Sequence, residues 1–224
     1  MTDDKTALAS FAGVTRLFPL PSLVLLPGVV QGLHIFEARY RQLMVDTLAG
    51  DMLFSLVLLR PGWEHDYDAR PPIETVACLG RVAWHERRAD GRFDLRLRSL
   101  LRVRILHEIE TDRLYRTARA ELLPDVVPTD LSRLSELRRQ LAEAVLPRFA
   151  EGTARQQLRE LFGGDMPLGH VCDVLTYALP LPLEMKQRLL AEPRVERRAD
   201  TLTMSLGTSF PPAARKFPAD FSDN

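Results

Sequence analysis

The most apolar run of the chain is interrupted by prolines, and this combination restricts what it can fold into. Residues 17–40 read LFPLPSLVLLPGVVQGLHIFEARY. Proline cannot donate to a strand ladder, so the run predicts two short strands, Leu17–Leu20 and Leu23–Leu26, in place of one long element. Pro27-Gly28 then predicts a tight turn, because proline presets φ and glycine accepts a positive φ.

The spacing of apolar residues changes to a helical one at Phe36. The residues that share one helical face are Phe36, Tyr40, Leu43, Met44 and Thr47. Glu37 and Arg41 stand in the favourable i,i+4 order, and Gly50 is a natural end for the helix. The short apolar run Leu53–Leu59 then predicts a buried strand.

The clearest strand pattern is a period of two that begins at Phe93. Apolar residues take the odd positions Phe93, Leu95, Leu97, Leu101, Val103 and Ile105, and charged residues take the even positions Arg92, Asp94, Arg96, Arg98, Arg102 and Arg104. Asp90-Gly91 predicts a hairpin that pairs this strand with Val76–His85. Together with an alternating strand at Tyr115–Leu122, these elements predict a small antiparallel β-barrel with one bracing helix.

After Pro124 the pattern becomes helical. Thr129 or Asp130 is a candidate helix cap, and shorter helical segments follow at 153–162, 168–178, 183–190 and 194–206, separated by glycine and proline. We therefore expect an α+β protein with a barrel at 11–123, a helical bundle at 124–207 and a proline-punctuated tail at 208–224.

Composition gives little sign of a special environment. The 30 basic and 30 acidic residues balance, so the overall charge does not favour nucleic acid. Cys78 and Cys172 stand far apart and indicate neither a disulfide framework nor a zinc site. The first residues lack the layout of a signal peptide, and no apolar run matches a membrane span. We expect a cytoplasmic protein without a membrane segment.

Three separated motifs resemble the N-terminal, substrate-binding domain of Lon proteases. They are LFPLPSLVLLPGVVQGLHIFEARYRQLM, the hairpin TVACLGRVAWHERRADGRFDLRLRSLLRVRIL, and HVCDVLTYALPLPLEMKQRLLAEPRVERRADTLTMSL. Ala38 departs from the proline usual after the glutamate, and Ser99-Leu100 stands where a glycine usually bends the long strand. The resemblance implies a PUA-like β-barrel followed by a helical subdomain.

The resemblance also implies a function, which is the binding of unfolded or specific polypeptides without catalysis or a cofactor. The ATPase and Ser-Lys protease modules of full-length Lon proteases have no counterpart here, so the chain is expected to act as a stand-alone adaptor or regulator, with a separate ATP-dependent protease as a candidate partner. A homodimer formed through the tail from Thr208 is a further hypothesis.

Two alternatives stay open. Related PUA folds often bind RNA, and Arg96, Arg98 and Arg102 could form a basic stripe, although an alternating polar face is the default for a half-buried sheet. A small-molecule enzyme would need a site assembled by folding, because the five histidines share no metal-ligand spacing and no GxSxG or HExxH occurs. We predict no catalytic, cofactor or metal residues.

Candidate binding residues come from exposed rings. Trp63 and Tyr67 lie in RPGWEHDYDARPP, which is too polar and too punctuated for core, and aromatic anchors are favoured at partner surfaces. His34 and Phe36, at the junction of strand and helix, complete the predicted polypeptide-binding set. Loop rings also fold back as lids, and a groove beside strand edges could accept a peptide by β-augmentation.

Overall fold

The structure is a computed structural model that describes residues 2–65, 67 and 70–207. The chain divides into two compact units, one ending at Leu123 and the other beginning at Pro124. The predicted tail, 208–224, lies outside the described residues. None of the helices in the described part of the chain has the length and apolar character that a membrane crossing requires.

The first unit contains six strands and two α-helices among its described residues. The strands are β1 (Val14–Leu20), β2 (Val30–Ile35), β3 (Leu53–Leu58), β4 (Val76–Arg87), β5 (Phe93–Ile109) and β6 (Arg116–Leu123). The helices are α1 (Thr2–Ala9) and α2 (Ala38–Leu48).

Five of the strands form a closed ring because β5 is long enough to have different neighbours at its two ends. The sheet order is β2-β5-β4-β3-β1-β6, and β6 pairs again with β5. The first part of β5 pairs with β2 over 93–98, and the last part pairs with β6 over 102–109. Neighbouring strands run antiparallel except β1 and β3, which are parallel, so the sheet is mixed.

The first proline-rich run folds differently from the prediction. Pro19 lies in β1 and the Pro27-Gly28 turn is confirmed, with φ of 82° at Gly28. Leu23–Leu26 is not a strand, because side-chain bonds replace a ladder. The hydroxyl of Ser99 lies 2.6 Å from the Leu26 carbonyl oxygen and accepts a 2.8 Å hydrogen bond from the Val29 N–H. The second strand of this region is Val30–Ile35, which pairs with β5 and which the sequence pattern did not single out.

The alternation predicted for β5 is interrupted at Leu100 and resumes at Val103, which is buried, and Arg104, which is exposed. Leu79 pairs with Leu101 and Gly80 pairs with Ser99, so Leu100 is an extra residue that forms a β-bulge. A bulge disrupts the strand ladder locally. Next to this bulge Arg102, expected on the wet face, is 1% exposed.

Helix α1 was not predicted, because its sequence has no apolar periodicity. It is held by charge: Asp4 accepts hydrogen bonds from Arg81 at 3.0 Å and from Arg98 at 2.7 Å. Packing of Ala7 and Leu8 against the strand core adds an apolar contact. The bracing helix α2 was predicted, and it buries Tyr40, Leu43, Met44 and Thr47.

The second unit contains five α-helices among its described residues. They are α3 (Leu131–Val145), α4 (Thr153–Gly163), α5 (Leu168–Ala178), α6 (Leu183–Ala191) and α7 (Val195–Gly207), which match the predicted helical segments. The predicted cap is Asp130, whose carboxylate accepts a hydrogen bond from the Ser132 N–H. Side chains from all five of these helices, most of them leucine and valine, form the core.

A buried ion-pair network crosses this helical core. Arg198 of α7 is fully buried and donates to Asp173 of α5 at 2.8 Å and to Asp125 at 2.6 Å. Asp173 is therefore an ion-pair partner of α7. Gly169 makes room for the network, because a Cβ there would lie 2.1 Å from Oδ2 of Asp125.

Candidate functional site

An apolar cleft of about 180 Å³ lies in the first unit, where β1 and β2 end and α2 begins. Pro21 follows the end of β1, and Phe36-Glu37 connect β2 to α2. The cleft is lined by Phe18, Leu20, Pro21, His34, Ile35, Phe36, Glu37, Tyr40 and Tyr67. Most of these side chains are apolar, which suits an apolar ligand group.

Three of the four predicted binding residues come together at this cleft. His34, Phe36 and Tyr67 line it, and Phe36 is 47% exposed. The rings of His34 and Phe36 are stacked with centroids 6.2 Å apart. Trp63 does not line the cleft, but its ring meets that of Tyr67 edge-on at 5.5 Å.

Tyr67 ties its loop to the start of α2. Its hydroxyl donates a 2.9 Å hydrogen bond to Oε1 of Glu37, and its carbonyl oxygen accepts one from Nη1 of Arg39 at 3.2 Å. Burial, reinforced by the Glu37 hydrogen bond, raises the pKa of Tyr67 above its usual value. The loop ring therefore serves as a wall of the cleft.

Arg39 also contacts Tyr67, which forms this wall of the cleft. Its guanidinium lies 4.7 Å from the ring centroid of Tyr67 and 4.8 Å from that of Tyr40, within the range of cation–π contacts. It also donates to Oε2 of Glu37 at 2.9 Å. The predicted partner of Glu37 was Arg41, which donates to the Asp90 carbonyl oxygen instead.

His34 is oriented by a carboxylate at the rim of the cleft. Its Nδ1 lies 2.6 Å from Oδ1 of Asp94, and Oδ2 of Asp94 accepts a hydrogen bond from Arg88 at 2.6 Å. The hydrogen bond with His34, together with Arg88, lowers the pKa of Asp94 below its usual value. The side chain of His34, in β2, is thus held in place by Asp94, in β5.

A second cleft, of about 250 Å³, shares Tyr40 and Tyr67 with the first. Four arginines line it. Its lining residues are Pro19, Arg39, Tyr40, Leu59, Tyr67, Arg70, Pro71, Arg113, Leu114, Tyr115 and Arg116. Unlike the apolar cleft, it offers positive charge beside apolar side chains.

The arginines of the second cleft are fixed to different degrees. Arg116 donates through Nε and Nη2 to Glu108 and through Nη1 to the Pro71 carbonyl oxygen. The hydrogen bond from Arg116 lowers the pKa of Glu108. Arg113 lies 3.2 Å from Asp46. Arg70 is exposed and forms no ion pair with a carboxylate among the described residues.

The three arginines of the predicted basic stripe do not form one. Arg98 is paired with Asp4, and Arg102 is buried. Arg96 lies over the ring of Trp84, with its guanidinium carbon 5.8 Å from the ring centroid. The bulge at Leu100 and helix α1 are the physical reasons, and neither was visible in the alternating pattern.

Several cleft residues were missed from the sequence. Phe18, Leu20 and Tyr40 read as ordinary core residues, Arg70 lies in a loop, and Arg116 reads as one residue of the predicted strand Tyr115–Leu122. Only the closed ring brings β1, β6 and the 60–72 loop to one place. Among the described residues, no group of three or more His, Cys, Asp or Glu side chains is arranged to hold a metal ion.

Comparison with known proteins shows which family and which solved structures this chain is similar to. The family model of the ATP-dependent protease La (LON) substrate-binding domain matches residues 14–207. A Lon N-terminal domain protein from Xanthomonas campestris is 26% identical, with a TM-score of 0.62, covering 85% of this chain and 97% of that one.

The N-terminal domain of a Mycobacterium avium complex Lon protease has the same fold, with a TM-score of 0.66 at 16% identity over 88% of this chain and 100% of that one. A search of curated protein sequences found no match. The family match extends over most of the chain, and the chain belongs to the Lon substrate-binding domain family.

Proposed function

We propose that the first unit binds polypeptides, and that the apolar cleft between β1, β2 and α2 receives an apolar side chain of an extended, unfolded segment. The observation that carries the proposal is the half-exposed ring of Phe36 at the rim of a cleft with otherwise fixed walls. Family membership supports polypeptide binding in general, and the apolar lining of the cleft supports this location for it.

The size of the cleft bears on affinity. Burying one large apolar side chain contributes about 1.5–3 kcal/mol, while a dissociation constant of 1 mM already needs about 4 kcal/mol. One side chain in the apolar cleft is therefore not enough for stable binding. The protein would select segments that add further contacts, which suits the sampling of unfolded chains.

Strand β2 offers such contacts next to the cleft. Among the described strands it pairs only with β5, and it ends at Ile35, which lines the cleft. A peptide added alongside β2 would gain main-chain hydrogen bonds while presenting a side chain to the cleft.

In this proposal the chain is a non-enzymatic adaptor or regulator of proteolysis that delivers bound polypeptides to a separate ATP-dependent protease. The buried thiols of Cys78 and Cys172 suit a reducing compartment such as the cytoplasm. The RNA-binding alternative is weakened, because Arg98 is engaged by Asp4 and Arg102 is buried.

Peptide binding by fluorescence anisotropy tests the proposal. The probe is a labelled, amidated peptide with two phenylalanines in a glycine–serine background, and its control has serine in their place. We expect saturable binding of the first peptide only, weakened about five-fold or more by Phe36→Ala. Val45→Ala removes a side chain of equal exposure, 47%, from outside the cleft and should change nothing. Equal binding by wild type and the Phe36→Ala variant would exclude the cleft as the site.

A further inference from the structure

We infer that the arginine-lined cleft, which shares Tyr40 and Tyr67 with the apolar cleft, recognises an acidic side chain of the bound polypeptide. The inference rests on the proposed polypeptide binding and deepens it by naming a substrate class: extended segments in which an aspartate or glutamate lies two residues from an apolar residue.

The charges of the cleft favour an anionic group. Of its four arginines, Arg39, Arg113 and Arg116 face carboxylates, and Arg70 forms no ion pair within the described part of the chain. None of the described residues that line the cleft is acidic, so a carboxylate that enters it meets only cationic and neutral groups.

The guanidiniums are also held in position with donors to spare. A guanidinium has five N–H groups. Arg39 is fixed by Glu37, by the Tyr67 carbonyl oxygen and by two aromatic rings, and Arg116 is fixed by Glu108 and by the Pro71 carbonyl oxygen. Each retains N–H groups that these contacts do not use. A carboxylate entering the cleft can accept hydrogen bonds from arginines that are already ordered.

The wall that the two clefts share is the basis for the spacing that we infer between the apolar and the acidic residue of the peptide. Tyr40 and Tyr67 belong to the walls of both, so groups entering the two clefts are separated by these side chains. In an extended chain, residues i and i+2 point to the same side about 7 Å apart. One extended segment can thus place an apolar side chain in one cleft and a carboxylate in the other.

An internal acidic side chain fits better than a chain terminus. A peptide that pairs with β2 as proposed continues past the apolar cleft. Its chain therefore does not have to end at the clefts. The probes are therefore labelled peptides with amidated ends, so that they carry no terminal carboxylate. One contains Asp-Ser-Phe-Ser-Asp in a glycine–serine background, which allows either chain direction, and the other contains Asn-Ser-Phe-Ser-Asn.

The affinities of these two peptides, measured by anisotropy, test the inference. We expect the aspartate peptide to bind about ten-fold more tightly than the asparagine peptide at low salt, with a smaller difference at 0.5 M NaCl. Arg70→Gln should reduce the difference to about three-fold or less. Arg104→Gln, which changes an exposed arginine outside both clefts, should leave the difference intact.

The contradicting outcomes are distinct. Equal affinity for the two peptides, with binding that still depends on Phe36, would overturn the carboxylate site and leave the proposed function standing. Absence of binding to both would overturn the proposed function as well. A preference that requires a free terminal carboxylate on an asparagine peptide would overturn the internal acidic side chain in favour of a chain end.

Discussion

The hydroxyl of Tyr67 donates a 2.9 Å hydrogen bond to the carboxylate of Glu37, which joins the middle of the 60–72 loop to the residue that precedes α2. The carbonyl oxygen of Tyr67 is held in turn by Arg39, two residues beyond Glu37. This pair of contacts gives both clefts a shared wall before any ligand is present, so binding does not have to order the side chain of Tyr67.

Tyr67→Phe should loosen that wall. Losing a hydrogen bond to a charged, half-buried group is expected to lower the free energy of unfolding of the first unit by about 1–2 kcal/mol. Both tryptophans, Trp63 and Trp84, lie in this unit, so urea unfolding followed by tryptophan fluorescence reports on it alone. Trypsin should also cleave faster at Arg70. An unchanged cleavage rate would show that the hydrogen bond does not hold the loop.

Ser99→Ala should destabilise the same unit by about 1–3 kcal/mol. The buried hydroxyl of Ser99 is the acceptor for the Val29 N–H and bonds the segment that replaces the expected strand at Leu23–Leu26. Its removal leaves a polar backbone group without that partner. Ser10→Ala is the matched control in the same unit, because that exposed hydroxyl bonds only to the Ala7 carbonyl oxygen, and tryptophan fluorescence follows the unfolding of both variants. Equal effects of the two substitutions on unfolding would contradict this assignment.

Gly169→Ala should destabilise the helical unit by about 1–3 kcal/mol, although alanine is normally the better helix former. The added Cβ would lie 2.1 Å from Asp125 Oδ2 and 2.9 Å from Arg198 Nη2, so the buried ion pair has to move. In an Asp125→Ala background the cost of Gly169→Ala should fall by at least half. Urea unfolding followed by helical circular dichroism measures both. Strict additivity would refute the steric explanation.

The pair of Glu108 and Arg116 predicts a dependence on pH. The hydrogen bond from Arg116 lowers the pKa of Glu108 in the folded chain, whereas the unfolded carboxyl titrates near 4.3, as glutamate ordinarily does. The stability that the pair contributes is therefore fully present above about pH 4.3 and is lost as the pH falls through the lower folded value.

Glu108→Gln measures this contribution. At pH 7 the variant should be less stable than wild type by about 1–2 kcal/mol, because a hydrogen-bonded charge is lost. The difference should shrink steadily below about pH 4.3. Unfolding by urea, followed by tryptophan fluorescence, gives the difference at each pH. A gap of constant size down to pH 3 would be inconsistent with the lowered pKa.

The sequence pattern predicted much of the fold because many helices and strands are bounded by turn residues that lie next to them in the sequence. The helices after Pro124 are bounded by glycine and proline, and the β4–β5 hairpin is marked by Asp90-Gly91, where Gly91 adopts φ of 83°. Two departures arise from contacts distant in sequence. The Ser99 hydroxyl captures Leu26 and Val29 about 70 residues earlier, and the bulge at Leu100 exists only because Gly80 and Ser99 pair across strands.

The candidate site was predictable only in part. Tyr67 stood out as a ring in a polar loop, His34 and Phe36 were predicted from their place at the junction of strand and helix, and the fold brings all three to one cleft. Arg70 and Arg116 carry no such signal, because an isolated arginine in a loop or strand looks like any surface residue. They join Arg39 in one cleft only once the strand ring closes.

Site-specific photocrosslinking tests the central claim most directly. A benzophenone amino acid is placed at Phe36, or at the equally exposed Val45 as control, and the protein is irradiated with an unfolded, carboxymethylated client protein. The account predicts a crosslinked product from position 36, competed by the phenylalanine peptide, and little from position 45. Equal crosslinking at both positions, or none at position 36, would contradict it.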